Sequence, residues 1–279
     1  MRTGEVRYLL TDTFYRMTYT AWGDPAFPPV VCVHGLTRNG RDFDLLAAAL
    51  ADRFWVVCPD LPGRGQSDWL PEAALYQPPT YVIALAHLLA AIGRPVLWVG
   101  TSLGGICGMM IAAATGHPIT RMVLNDIGAR IEQAAIARIR EYLSLKPMPV
   151  FPDLVALERH LRNVYAPFGP MTDAQWTHMA ETSARTLADG RVTLHYDPKL
   201  GEPMRMAEPA EVDLWPVWNR IRIPVLVIRG EASDLLSAET QRQMEATGAR
   251  GMVVPGVGHA PSLNDEPTIS AIQTFLEGD

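Results

Sequence analysis

Apolar and polar positions along the chain fall into blocks of changing period, and the blocks define the elements. Glu5 to Ala21 reads as two short strands about a turn at Thr11-Asp12-Thr13, and Gly23-Asp24-Pro25 then breaks the chain. From there short apolar runs alternate with helical stretches. Val30 to His34, Phe54 to Cys58 and Val96 to Gly100 read as strands, with Arg41 to Ala51 and Thr80 to Ile92 as helices between them. Strands that lack a polar face and are spaced by helices predict a parallel sheet covered on both sides. Leu103 to Thr115 is the next helix and Arg121 to Asn125 the next strand.

The alternation then stops. From Gly128 to about Arg220 the chain carries Pro, Met and Trp and is mostly helical in period, as at Ile131, Ile136, Ile139, Tyr142 and Leu143. The pattern resumes with Ile223 to Arg229 as strand, Ser237 to Ala246 as helix, Met252 to Val254 as strand and Pro267 to Phe275 as a closing helix. The expectation is a core domain formed by residues 1–128 and 219–279, with residues 129–218 a helical insertion lying over the sheet.

Composition narrows the function classes. The 279 residues suit one large α/β domain with an insertion, and 48% hydrophobic against 19% charged residues excludes a disordered or low-complexity chain. Lys and Arg number 24 against 30 Asp and Glu, a net charge of −6, so no broad basic field invites a nucleic acid. Arg2, Glu5 and Arg7 interrupt the N-terminal stretch, and no segment reaches the ~20 uncharged apolar residues of a membrane span. A cytoplasmic protein is expected, and monomer and homodimer both remain open. Cys32, Cys58 and Cys107 are odd in number, widely spaced and set among apolar neighbours, so they read as buried thiols. None of the seven histidines pairs at metal-ligand spacing, and neither a metal nor a cofactor is expected.

The strongest local signal is Gly100-Thr101-Ser102-Leu103-Gly104, a G-x-S-x-G between the strand Pro95 to Val99 and an apolar helix. A serine in such a tight turn is lifted above the carboxyl edge of the sheet, and the glycines let neighbouring backbone approach. The plain structural alternative is an N-capping serine. A serine hydroxyl needs a base to become a nucleophile, and the base needs an orienting carboxylate. His259 lies in the glycine-rich loop Pro255-Gly256-Val257-Gly258-His259-Ala260-Pro261 after the last short strand, at the same edge as Ser102. His87, His117, His160, His178 and His195 fall on helices or in the insertion. Asp234, in the turn after Ile223 to Ile228, is the first choice of carboxylate, with Asp126 after the preceding strand as the alternative. The chain order Ser102, Asp234, His259 is that of a hydrolase triad built on an α/β sheet.

These motifs resemble the α/β-hydrolase fold family, in its serine-nucleophile branch, over nearly the whole chain outside the insertion. Val33-His34-Gly35-Leu36 is similar to the family's His-Gly turn, which implies an oxyanion hole made by the backbone N–H groups of Leu36 and Leu103. Asp60-Leu61-Pro62-Gly63-Arg64-Gly65-Gln66-Ser67-Asp68 resembles the family's D-x-x-G-x-G-x-S loop, which orders the sheet edge rather than reacting. The resemblance implies a mostly parallel eight-stranded sheet flanked by helices, with the insertion as a helical cap. The family's acid commonly stands three residues after the glycine that ends the seventh strand. Asp234 stands four after Gly230, which keeps Asp126 open.

A serine at the nucleophile position sets aside haloalkane dehalogenases and epoxide hydrolases, which carry aspartate there. The expected reaction is cleavage of a small, largely apolar carboxylic ester through an acyl-enzyme. Phe168, Trp176, Met179 and Tyr142 are the expected pocket residues. Carbon–carbon bond hydrolases of ring-cleavage products, enol-lactonases and cofactor-free perhydrolases share the same triad and are the rival enzymes. The rival of another class is a non-catalytic ligand receptor on the same fold.

Overall fold

The computed structural model describes residues 1–143, 148–206 and 208–278. Residues 144–147 and 207 of the expected insertion, and Asp279 of the expected core, lie outside them. Eight strands form the main sheet: β1 (Arg2–Leu10), β2 (Thr13–Trp22), β3 (Pro29–Val33), β4 (Trp55–Pro59), β5 (Val96–Thr101), β6 (Ile119–Asn125), β7 (Val225–Gly230) and β8 (Arg250–Val254). Their spatial order is β1-β2-β4-β3-β5-β6-β7-β8. The β1–β2 hairpin and the β2–β4 pair are antiparallel, and every pairing from β4 to β8 is parallel.

Every residue of β3 is buried, because a parallel strand is covered on both faces. Side-chain alternation divides the core in two. Val31, Val33, Val57 and Trp98 pack with α2 (Pro78–Ile92) and α3 (Leu103–Ala112) on one face. Val30, Cys32, Val56, Cys58 and Val99 pack with α1 (Asp44–Leu50) on the other face. The continuous apolar runs in the sequence therefore report two buried faces rather than one. All three cysteines are buried free thiols.

The strand order reverses direction between β3 and β5. β3 leads to β4 on one side, and the chain then crosses to β5 on the other. Loops leaving the carboxyl ends of β3 and β5 diverge there and open a crevice, the usual ligand position in such sheets.

Between β6 and β7 the chain forms α4 (Gln133–Leu143), α5 (Leu154–Val164) and α6 (Asp173–Ser183). It also forms a small antiparallel sheet of Val150–Phe151, Ala184–Thr186 and Val192–Leu194. Thr172 opens α6 with a reciprocal capping box to Gln175. The insertion has its own apolar cluster, built on Leu157, Leu161, Trp176 and Ala180. It is tied to the loop after β3 where Arg38 donates to the Ser183 hydroxyl at 2.9 Å and Asn39 to the Thr182 carbonyl at 2.8 Å. The chain closes with α7 (Ala238–Ala246) and α8 (Glu266–Glu277), the latter packing on the same sheet face as α1. Among the described residues no helix is long and apolar enough to cross a membrane.

Candidate active site

Ser102 stands between the end of β5 and the start of α3 with φ +50° and ψ −112°, a conformation strained for a residue with a side chain. The flanking glycines are steric requirements of that turn. A Cβ on Gly104 would lie 2.0 Å from the Val33 carbonyl oxygen, and one on Gly100 would lie 2.5 Å from the Gly104 backbone. The Ser102 side chain makes no capping bond to α3, which removes the N-cap alternative. Its Oγ lies 3.1 Å from His259 Nε2 instead.

His259 Nδ1 donates to Asp126 Oδ2 at 2.6 Å. This leaves Nε2 as the acceptor facing the Ser102 hydroxyl. Asp126 directly follows β6 with φ +53° and is fully buried. Its Oδ1 accepts from the Gly230 N–H at 2.9 Å, and its Oδ2 also accepts from the Ser233 hydroxyl at 2.6 Å. A buried carboxylate with three donors has its desolvation offset by hydrogen bonds.

The geometry reverses the order of preference between the two carboxylates. Asp234 does not carry the bond to His259. It is half-exposed at the surface and ion-paired to Arg138 of α4. The turn after β7 contributes to the acid position all the same, through Gly230 and Ser233, the residue just before Asp234.

Leu36 and Leu103, expected at the oxyanion position, line one cavity with Ser102 and His259. Leu103 opens α3, so its N–H has no partner within the helix and lies at the positive end of the dipole. A Cβ on Gly35 would lie 3.8 Å from Ser102 Cβ, which puts the β3 loop beside the serine.

Two buried side chains hold that loop. The Leu61 N–H donates to His34 Nε2 at 2.9 Å, so Nδ1 carries the proton and donates to the Gly35 carbonyl at 2.7 Å. That bond fixes the peptide bearing the Leu36 N–H. Burial, reinforced by the Arg64 charge, lowers the His34 pKa to about 3 and keeps the ring neutral. Arg64 donates from Nε to the Leu36 carbonyl at 2.8 Å and from Nη1 to the Pro62 carbonyl at 2.7 Å, and its guanidinium stacks 4.6 Å from the Tyr81 ring centre. Asp60 accepts from the Gly40 and Gln66 N–H groups at 2.9 and 3.0 Å and so joins the Asp60–Asp68 loop to the chain after β3.

Beneath the insertion lies a cavity of about 860 Å³ that reaches Ser102. Of the four residues named for the pocket, Tyr142, Phe168 and Met179 line this cavity and Trp176 does not. Trp176 is buried in the insertion's own cluster, because the α6 face that carries it packs on α5. Arg38 and Arg138 also reach the cavity, and each is ion-paired, to Asp42 and Asp234 respectively. Among the described residues no three His, Cys, Asp or Glu side chains cluster as metal ligands.

Sequence reasoning missed Ser233, Arg64 and Thr37. No motif marks Ser233 or Thr37. Arg64 did carry a signal, an arginine between two glycines in the Asp60–Asp68 loop, and its contacts are visible only in the folded chain.

A family model described as the alpha/beta hydrolase family matches residues 30–271. The chain is 40% identical over 290 aligned positions to a 3-hydroxybutyrate-oligomer hydrolase of Cupriavidus necator, covering 99% of this chain and 98% of the relative. Among solved structures it is similar to an alpha/beta hydrolase of Novosphingobium aromaticivorans, with TM-score 0.87, 37% identity and coverage of 99% and 98% of the two chains. A crystal structure from Rickettsia typhi superposes with TM-score 0.92 at 30% identity over the whole of both chains.

Proposed function

The chain belongs to the α/β-hydrolase family, and from that membership and the contacts of Ser102 we propose that it hydrolyses carboxylic esters through an acyl-enzyme. The observation that carries this reading is the bonded series Ser102 Oγ, His259 Nε2, His259 Nδ1 and Asp126 Oδ2 at 3.1 and 2.6 Å. In it His259 takes the Ser102 proton as Oγ bonds to the ester carbonyl carbon, and Asp126 holds the tautomer and stabilises the imidazolium. The Leu36 and Leu103 N–H groups receive the developing oxyanion. His259 then returns the proton to the alkoxide as the C–O bond breaks. A water attacks the acyl-enzyme by the same route in reverse and frees the acid and Ser102. The insertion acts as the cap that shapes the substrate cavity, because its residues Tyr142, Phe168 and Met179 form part of the cavity wall.

As substrate class we propose oligoesters of short hydroxy acids. Support comes from the 40% identical relative whose name states that substrate, and from a cavity of about 860 Å³, far larger than one short acyl group requires. The test is incubation with the linear dimer and trimer of 3-hydroxybutyrate, with monomer release followed by chromatography. Release by the parent and none by Ser102→Ala is expected. Equal release by both, or none from a folded parent, would overturn the reading.

A further inference from the structure

One wall of the mostly apolar cavity carries a string of hydroxyls. Thr37 Oγ1 lies 3.1 Å from the Tyr165 hydroxyl, which lies 3.4 Å from that of Tyr142. All three side chains line the cavity. Burial, and next the neighbouring Tyr165, raise the Tyr142 phenol well above its ordinary pKa, so it keeps its proton at neutral pH.

The proton count leaves this string incomplete by itself. Three hydroxyls carry three protons, and two internal bonds use two of them, so one O–H remains to be donated. The oxygens also keep spare acceptor capacity. The wall therefore suits a group that both accepts and donates.

Charge points the same way. Arg38 stacks 4.8 Å from the Tyr165 ring centre, but it gives Nε and Nη2 to Asp42 and Nη1 to Ser183. The wall is thus neutral, with no unpaired cation at Arg38 for a carboxylate. A hydroxyl matches it, whereas an ester carbonyl can only accept.

Position selects which hydroxyl. Thr37 follows Leu36 in sequence, so the string begins one residue from the N–H assigned to the oxyanion. A hydroxyl on the β-carbon of the acyl group stands close to the carbonyl that Ser102 attacks.

We propose that Thr37, Tyr165 and Tyr142 form a binding site for the 3-hydroxyl of a 3-hydroxyacyl ester and so determine the acyl specificity of the cavity. This rests on the reading of Ser102 as the nucleophile of an ester hydrolase. An unsubstituted acyl group that fills this space would leave the one spare O–H of the string without a partner, and that penalty discriminates against it.

The experiment uses a matched pair of probes, the p-nitrophenyl esters of butyrate and of 3-hydroxybutyrate, which differ by one hydroxyl. The parent protein should show the higher kcat/KM on the hydroxy ester. Tyr165→Phe and Tyr142→Phe, which keep the ring volume, should each lower the hydroxy-to-unsubstituted ratio by roughly five- to tenfold, the worth of one neutral hydrogen bond. The fall should be carried mainly by the hydroxy ester, with thermal unfolding confirming folded variants. Thr37→Val should move the ratio in the same direction and is the fallback if a tyrosine variant does not fold. A ratio that stays unchanged in the folded variants, or a parent that does not favour the hydroxy ester, overturns the hydroxyl site and leaves ester hydrolysis standing. Hydrolysis of neither ester by the folded parent overturns both.

Discussion

Replacing Asp126 by asparagine changes one atom in a fully buried carboxylate, and the surrounding donors determine the effect. If the amide oxygen stays at Oδ1 to accept from the Gly230 N–H, the NH2 group falls at Oδ2 and faces His259 Nδ1 and the Ser233 hydroxyl. Nδ1 must then accept, the ring proton moves to Nε2, and Nε2 can no longer take the Ser102 proton. If the amide flips, it keeps the bond to His259 but sets its NH2 against the Gly230 N–H in a buried place. The first arrangement removes general-base catalysis, and the second leaves a buried donor unsatisfied at a cost of about 1–3 kcal/mol. Loss of the productive tautomer corresponds to roughly 10⁴-fold in kcat, or about 5.5 kcal/mol of barrier. Asp234→Asn loses only a half-exposed ion pair with Arg138, an interaction of about 0–1 kcal/mol, so kcat should change by less than about fivefold. Initial rates on p-nitrophenyl butyrate measure both, with circular dichroism verifying the fold. The assignment of Asp126 fails if Asp234→Asn is the more damaging change, or if folded Asp126→Asn stays within about tenfold of the parent.

Gly104→Ala would bring a methyl to 2.0 Å from the Val33 carbonyl, a backbone atom that cannot turn aside, and should abolish activity with a large fall in melting temperature. His34 stays neutral down to about pH 3 when folded but takes up a proton below about 6.5 when unfolded, so the unfolded state binds more protons as pH falls through that window. Its share of stability should fall by about 2 kcal/mol between about pH 7 and about pH 5, read by urea unfolding as a pH-dependent part missing from His34→Asn. Trp176→Ala should cost about 3–5 kcal/mol of stability in the insertion with little change of acyl preference. Phe168→Ala, on the cavity wall, should shift acyl-length preference measured over a graded ester series.

Much of this molecule was legible in the chain because its signals are local. Val30 to Val33 reads as a doubly covered strand from its own residues, and Gly100 to Gly104 encodes a turn that only glycines at both ends permit. The place of His259 at the sheet edge beside Ser102 was legible from its loop. The choice between Asp126 and Asp234 was not, since both follow strands. It depends on β6 and β7 lying side by side and on a turn that directs Ser233 inward and Asp234 outward. Trp176 shows the same limit. The buried positions Trp176, Met179, Ala180 and Ser183 mark one stripe of α6, yet spacing cannot say that Met179 reaches the cavity while Trp176 packs on α5. The two- and three-residue strands of the insertion are too short to leave a period.

Whether Ser102 carries the acyl group is decided by trapping it there. The protein is mixed with p-nitrophenyl 3-hydroxybutyrate, quenched in acid within the first turnover, digested and mapped by mass spectrometry. One 3-hydroxybutyryl adduct is expected on the peptide containing Ser102, formed in step with a burst of p-nitrophenol and absent from Ser102→Ala. Ester turnover with an adduct on another residue, or undiminished turnover by Ser102→Ala, would show that Ser102 is not the nucleophile.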